Sequence, residues 1–258
     1  MTEQFLILAA PVFVAAALQS ATGLGFGMIA GPFLLLTLNG IGAVQATILL
    51  SLAIALVAWP PVIADTDRRA LAGLGAGSLL GLPLGGALAL LAGMTALKAG
   101  AALIVAASAT LILRGAASSE DGASRPDECA ERGRNAASRM IGAGAVSGAM
   151  SAALGMPGPA PAGLLAERGA SKEALRATVL SLFVGSFSGA LILHSLAIGI
   201  GAPAIQLAGL LAAPAIGGAV AGHFLVRRFS AQLFRRILTA LLVAAATSLA
   251  INVIFDLL

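Results

Sequence analysis

Apolar residues run almost unbroken from 5 to 38, and the run is cut once. The cut is Gln19-Ser20-Ala21-Thr22-Gly23-Leu24-Gly25-Phe26-Gly27, which carries three polar side chains, three glycines and no charge. It leaves apolar pieces at 5–18 and 26–38. A bilayer crossing takes about 20 apolar residues, so each piece is short for a span. Glycine tolerates unwound backbone. At membrane depth such backbone persists only where protein or a water-filled cavity surrounds it. A second cut, Ser151-Ala152-Ala153-Leu154-Gly155-Met156-Pro157-Gly158, divides the apolar segment 140–165. Interruptions at corresponding positions of two halves point to a transporter's binding site.

Elsewhere the apolar runs are longer. Those at 41–64, 70–92, 95–113, 177–198, 203–226 and 233–255 predict six full spans. Trp59-Pro60-Pro61 near the end of the first suits an interfacial level. Residues 65–69 and 167–176 are charged turns, and residues 114–139 form a Ser-, Gly- and charge-rich linker with ten charged side chains. The linker divides two stretches that match. Ser20…Gly25 aligns with Ser151…Gly155, Gln45-Ala46-Thr47 with Arg176-Ala177-Thr178 at an offset of 131, and Gly85-Gly86-Ala87 with Gly217-Gly218-Ala219 at 132. A near-constant offset across three short matches is the mark of a repeat. The whole chain, 1–258, reads as one transmembrane domain: repeat 1 at about 1–114, a cytoplasmic linker at about 115–138 and repeat 2 at about 139–258.

Composition and charge sharpen this picture. The chain is 59% hydrophobic and 10% charged, against about 25% charged in soluble domains. It is an integral membrane protein with the lipid bilayer as a partner. Basic residues sit in short loops without interleaved aromatics, which argues against nucleic acid. If each cut segment crosses once, the 15 Lys and Arg divide 7 against 8. If each enters and leaves on one side, Lys98 stands alone against the other 14. The second split is a strong positive-inside bias. The expected fold class is therefore an all-α polytopic membrane protein with two inverted repeats. Each repeat is a broken or re-entrant helical hairpin plus three transmembrane helices, with both termini outside. Two short crossings per cut segment give the same split, so both versions stay open.

The chemistry has several readings. At the first cut, the glycines either pack helices closely or free a helix start whose N–H groups and dipole favour an anion. A nucleotide loop fits poorly, since the spacing is not G-x-G-x-x-G. In the second cut, Pro157, Pro159 and Pro161 suit a helix start but remove donors. His194 and His223 lie near span ends, where interfacial solvation and a proton relay are the two readings. Every Asp and Glu lies at a span end or in a loop. Ser51, Ser186 and Ser188 fall mid-span and either bond within helices or line a path. Arg176, at the start of a span, is a positive-inside anchor or captures substrate. An intramembrane serine protease would need Ser and His facing each other in the interior, and neither histidine is well placed for that. The single Cys129 forms no intramolecular disulfide. No His/Cys/carboxylate cluster has metal spacing, and no cofactor, metal or removable signal peptide is expected.

The broken Gly-rich segments, the repeat and the polar linker resemble the TauE/SafE family of sulfite and organosulfonate exporters. The resemblance spans nearly the whole chain. It is carried by Gly23, Gly25, Phe26, Gly27, Pro32 and Ala46-Thr47, then by Ser147-Gly148, Gly155, Gly158 and Ala177-Thr178. Met156-Pro157 departs from the second repeat's usual glycine cluster. The resemblance implies a non-enzymatic, multi-pass inner-membrane exporter of a small anion, sulfite or an organosulfonate. Joined to the two cuts, it makes Ser20, Thr22, Gly23, Gly25, Phe26, Gly27, Ser151, Gly155 and Gly158 the candidate substrate-binding residues. Thr47, Ser51, Arg176, Thr178, Ser186 and Ser188 are candidates for the path. A channel-like or uniport anion pathway is the alternative. Oligomeric state and coupling ion stay open.

Overall fold

The computed structural model describes residues 2–23, 26–38, 40–91, 96, 99–103, 136–157 and 160–225. The expected span 233–255, most of the span 95–113, nearly all of the linker, and both Gly25 and Gly158 lie outside them. The described elements are α1 (Thr2–Thr22), α2 (Phe26–Thr37), α3 (Ile41–Ala58), a 3-10 turn (Ile63–Asp65), α4 (Arg68–Leu91), α5 (Ala136–Leu154), α6 (Ala160–Glu167), α7 (Lys172–Ile198) and α8 (Ala202–Leu225). No strand occurs among them. The helices α3, α4, α7 and α8 are long and apolar enough to cross a bilayer, with mean hydropathies of 1.7 to 2.3. Leu79, Leu80, Leu84, Leu88 and Leu91 of α4 and Leu196 of α7 are exposed. Large side chains of this kind belong against lipid, because only water penalises their exposure. The protein is all-helical and polytopic.

Both cuts break a helix, but less evenly than the apolar runs suggest. Helix α1 has 21 residues and α5 has 19. At 1.5 Å per residue these are about 31 and 28 Å long. Their continuations are short: α2 has 12 residues and α6 has eight. The expected first piece, 5–18, thus extends to Thr22. Its polar residues do not unwind it. The Gln19 amide donates to the Ser51 carbonyl at 3.2 Å, and the Thr22 hydroxyl donates back to Leu18 at 2.7 Å. Both bonds are compatible with helix. The helix ends at Gly23 (φ 78°), and α5 ends at Gly155 (φ 66°). Their N–H groups bond the carbonyls of Gln19 (2.7 Å) and Ser151 (2.9 Å). A left-handed residue in this position closes a helix, and glycine adopts it without a Cβ clash.

Packing between the halves is reciprocal. The first helix of each half lies along the fourth described helix of the other: α1 on α8 and α5 on α4. Likewise α3 touches α8, α4 touches α7, and α3 meets α7 between them. The seams are made of small residues. A methyl added at Gly77, Gly81 or Gly85 would overlap the carbonyl of Ile141, Ala145 or Ala149 respectively. From the other side, Gly144 and Gly148 press on the carbonyls of Leu74 and Ser78. Gly218 and Gly222 of α8 press on Phe13 and Ala17 in the same way. Lipid supplies no hydrophobic drive for helix association, so close backbone approach must supply it as dispersion. Phe26, Ile29, Leu34, Ile48, Phe183 and Phe187 fill the centre and are fully buried.

Candidate functional site

The two helix breaks meet. The start of α2 lies against the second break, where a Cβ on Gly27 would overlap the Gly155 carbonyl. One turn further, Gly31 faces the Met156 side chain. Each break is also seated on the third helix of the other half. Gly23 lies on α7, where an added Cβ would sit 3.4 Å from the Arg176 carbonyl and 3.5 Å from Val179. Gly155 lies on α3, where an added Cβ would sit 2.9 Å from the Thr47 methyl. The sequence match of Gln45-Ala46-Thr47 with Arg176-Ala177-Thr178 falls on these two seats.

Buried polar groups collect around the first break. Ser20 and Ser51 are fully buried, and their hydroxyls have no hydrogen-bond partner. The two are linked through Gln19, whose amide bonds the Ser51 carbonyl. Arg176 reaches in from α7, and its Nε donates to the Ser20 carbonyl at 2.8 Å. That carbonyl is in the last turn of α1, where no helical N–H is available to it. The other end of the fork, Arg176 Nη2, is buried and unpartnered. The arginine is therefore not simply a span-end anchor. Its repeat counterpart, Gln45, clamps the opposite half too: Nε2 donates to the Gly199 carbonyl at 2.8 Å, and Oε1 accepts from the Gly201 N–H at 3.0 Å.

The remaining candidates sort by where their hydroxyls go. Those of Thr47 and Ser151 donate to the carbonyls of Ala43 and Ser147 in their own helices, at 2.8 Å each. The Thr178 hydroxyl accepts from the Asp67 N–H at 2.9 Å, which ties α7 to the start of α4. Ser186 pairs with Ser78 at 2.8 Å, within the α4–α7 contact. Ser188 is half-buried on α7. Phe26 is a core residue. His194 is 3% exposed, so interfacial solvation does not describe it. Its Nε2 lies 2.9 Å from the Ala152 carbonyl in the last turn of α5 and must carry the proton to donate there. His223 is half-buried, edge-on to Phe224. Among the described residues no group of three or more His, Cys, Asp or Glu could hold a metal.

A family model described as sulfite exporter TauE/SafE matches residues 8–249, a stretch that takes in both breaks. The chain belongs to the TauE/SafE family. It is a multi-pass membrane permease of a family of sulfite exporters. No curated protein and no solved structure matches it.

Proposed function

We propose that this permease moves a small sulfur oxyanion, sulfite or an organosulfonate, out of the cell without catalysing any reaction. The anion would bind beside the first break, at the Ser20 and Ser51 hydroxyls and Arg176 Nη2. The supporting observation is that these three donors, on α1, α3 and α7, are buried without partners, and their residues are tied to the end of α1 by the Gln19–Ser51 and Arg176–Ser20 bonds. A sulfonate presents three oxygens and no proton near neutral pH, so donors alone satisfy it. A buried unpaired hydroxyl is costly and a buried unpaired charge more so; an anion offsets both. Gly27 and Gly155 let the breaks approach, Gly23 seats the first break on α7, and the breaks must part for an anion to pass between them. The Thr22, Thr47 and Ser151 hydroxyls bond carbonyls of their own helices and so serve the helices rather than the ligand. Gly25 and Gly158 belong to the same breaks by sequence.

The reciprocal packing of α1 on α8 and α5 on α4 supports two inverted repeats, and the Lys/Arg split supports a cytoplasmic linker in the inner membrane. Reporters fused after Leu258 and near Glu128 are expected on opposite faces, with Glu128 inside. Both on one face would exclude the inverted arrangement. An inside-negative potential favours anion exit by about 2.3 kcal/mol per charge per 100 mV, so export needs no coupled ion. The functional test uses liposomes loaded with sulfite, methanesulfonate, sulfate or chloride. Efflux of the first two is expected to exceed that from protein-free liposomes and to rise with the potential. Chloride efflux with no sulfite or sulfonate efflux would favour the channel-like pathway.

A further inference from the structure

We propose that His194 is a proton-binding site that latches the second helix break. Helix α7 holds both breaks at the equivalent carbonyl. Ser20 lies three residues before the left-handed Gly23, and Ala152 lies three before the left-handed Gly155. Arg176 holds the first carbonyl and His194 the second. Along α7, Arg176 is about 6 Å and His194 about 33 Å from the first residue, Lys172. One helix thus pins one break near each of its ends, with a permanent cation at one and a titratable ring at the other.

Three features suit His194 to bind a proton. First, its Nδ1 is buried and unpartnered. With Nε2–H given to Ala152, Nδ1 is a free lone pair. Second, the ring lines a cavity of about 190 Å³ between α4 and α7, with Gly86, Ala87, Leu90, Leu193 and Ala197. Leu90 and Ala197 are exposed, so among the described residues the cavity opens on the outward faces of α4 and α7. Third, the Ala152 carbonyl is at the negative end of α5, which favours a positive charge there. Among the described residues, the elements packed on α7 bring no competing charge to the ring. Helix α3 has none, Arg68 and Arg69 start α4, Arg139 is near the start of α5, Glu167 ends α6, and Asp65 closes the 3-10 turn. On α7 itself the charges are Lys172, Glu173 and Arg176.

Protonation at Nδ1 fixes both ring nitrogens as donors, so the bond to Ala152 becomes charge-assisted and the break is held. The neutral ring can shift its proton to Nδ1, give up the bond and free the break. The inference rests on the permease reading only for what the movement serves. Its test uses no transported anion, so failed sulfite efflux leaves the result readable. In a Cys129→Ser, Met156→Cys background in lipid nanodiscs, labelling by N-ethylmaleimide is measured against pH. Each rate is divided by that of the SDS-unfolded protein at the same pH. Between about pH 5 and 8 the ratio should rise about fivefold, the difference between a charged and a neutral hydrogen bond. His194→Gln keeps only a neutral donor, so it should label at the rate the His194 protein reaches at high pH, and that rate should be flat with pH. In His223→Asn protein with ¹⁵N-histidine, NMR should show Nδ1 gaining the proton while Nε2 stays protonated. A flat ratio in the His194 protein, a fivefold rise that survives His194→Gln, or a ring that stays neutral throughout would overturn the proposal.

Discussion

Arg176→Gln is expected to weaken sulfite binding by about tenfold to hundredfold, the worth of a hydrogen bond from a charged donor. Glutamine can still reach toward the Ser20 carbonyl, so the end of α1 keeps a partner. What it lacks is the second arm of the fork, where Nη2 stands buried without a partner. Arg176→Lys keeps the charge but concentrates it on one strongly hydrated ammonium without the planar fork. It should fall between the two. Arg168→Gln, on the exposed turn before α7, is the control for loss of basic charge. The measurements are calorimetric sulfite affinity and the thermal midpoint of each variant in detergent. Wild-type affinity in Arg176→Gln with a lowered midpoint would leave the arginine as a helix cap and remove it from the anion site.

Arg176 lies at the limit of what the apolar pattern makes legible. Long apolar runs must be satisfied within themselves in lipid, so helices follow from composition almost directly. The cuts were visible because Gly23 and Gly155 need a left-handed backbone and sit at matching places. Their depth was not visible. Gln19 and Thr22 look like helix-ending residues, yet both find partners that let α1 continue. An arginine at a span end reads as an anchor, since its partner, Ser20, is 156 residues away. The available signal was its alignment with Gln45, an uncharged residue at the corresponding span start. Two polar residues in register at the starts of matching helices each bond backbone of the opposite half. Residue spacing alone puts His194 near a span end. Spacing carries no sign that α5 extends far enough to put Ala152 beside it.

Gly27→Ala is expected to disturb the contact between the two breaks directly. The new Cβ would overlap the Gly155 carbonyl and lie 3.1 Å from its carbon and 3.2 Å from Met156 Cα. All three are backbone atoms, so no side chain can rotate away. Gly155 cannot retreat, because α3 stands behind it at Thr47 and Ile48. Relief must come from moving α2 away from the second break. Overpacking of this kind costs about 1–3 kcal/mol, and here it falls on the contact between the two breaks. The expected result is a lower thermal midpoint together with loss of most sulfite efflux. Gly75→Ala is the comparison, since nothing lies within 4 Å of a Cβ there. Mid-helix, that change should be neutral or stabilise by about 0.5–1 kcal/mol, because alanine loses less backbone freedom than glycine. Gly155→Ala adds a second cost, about 1–2 kcal/mol for a left-handed residue with a Cβ, and should be at least as damaging to the midpoint. If Gly27→Ala matched Gly75→Ala in both midpoint and efflux, the breaks would not be in contact, and a site between or beside them would lose its structural basis.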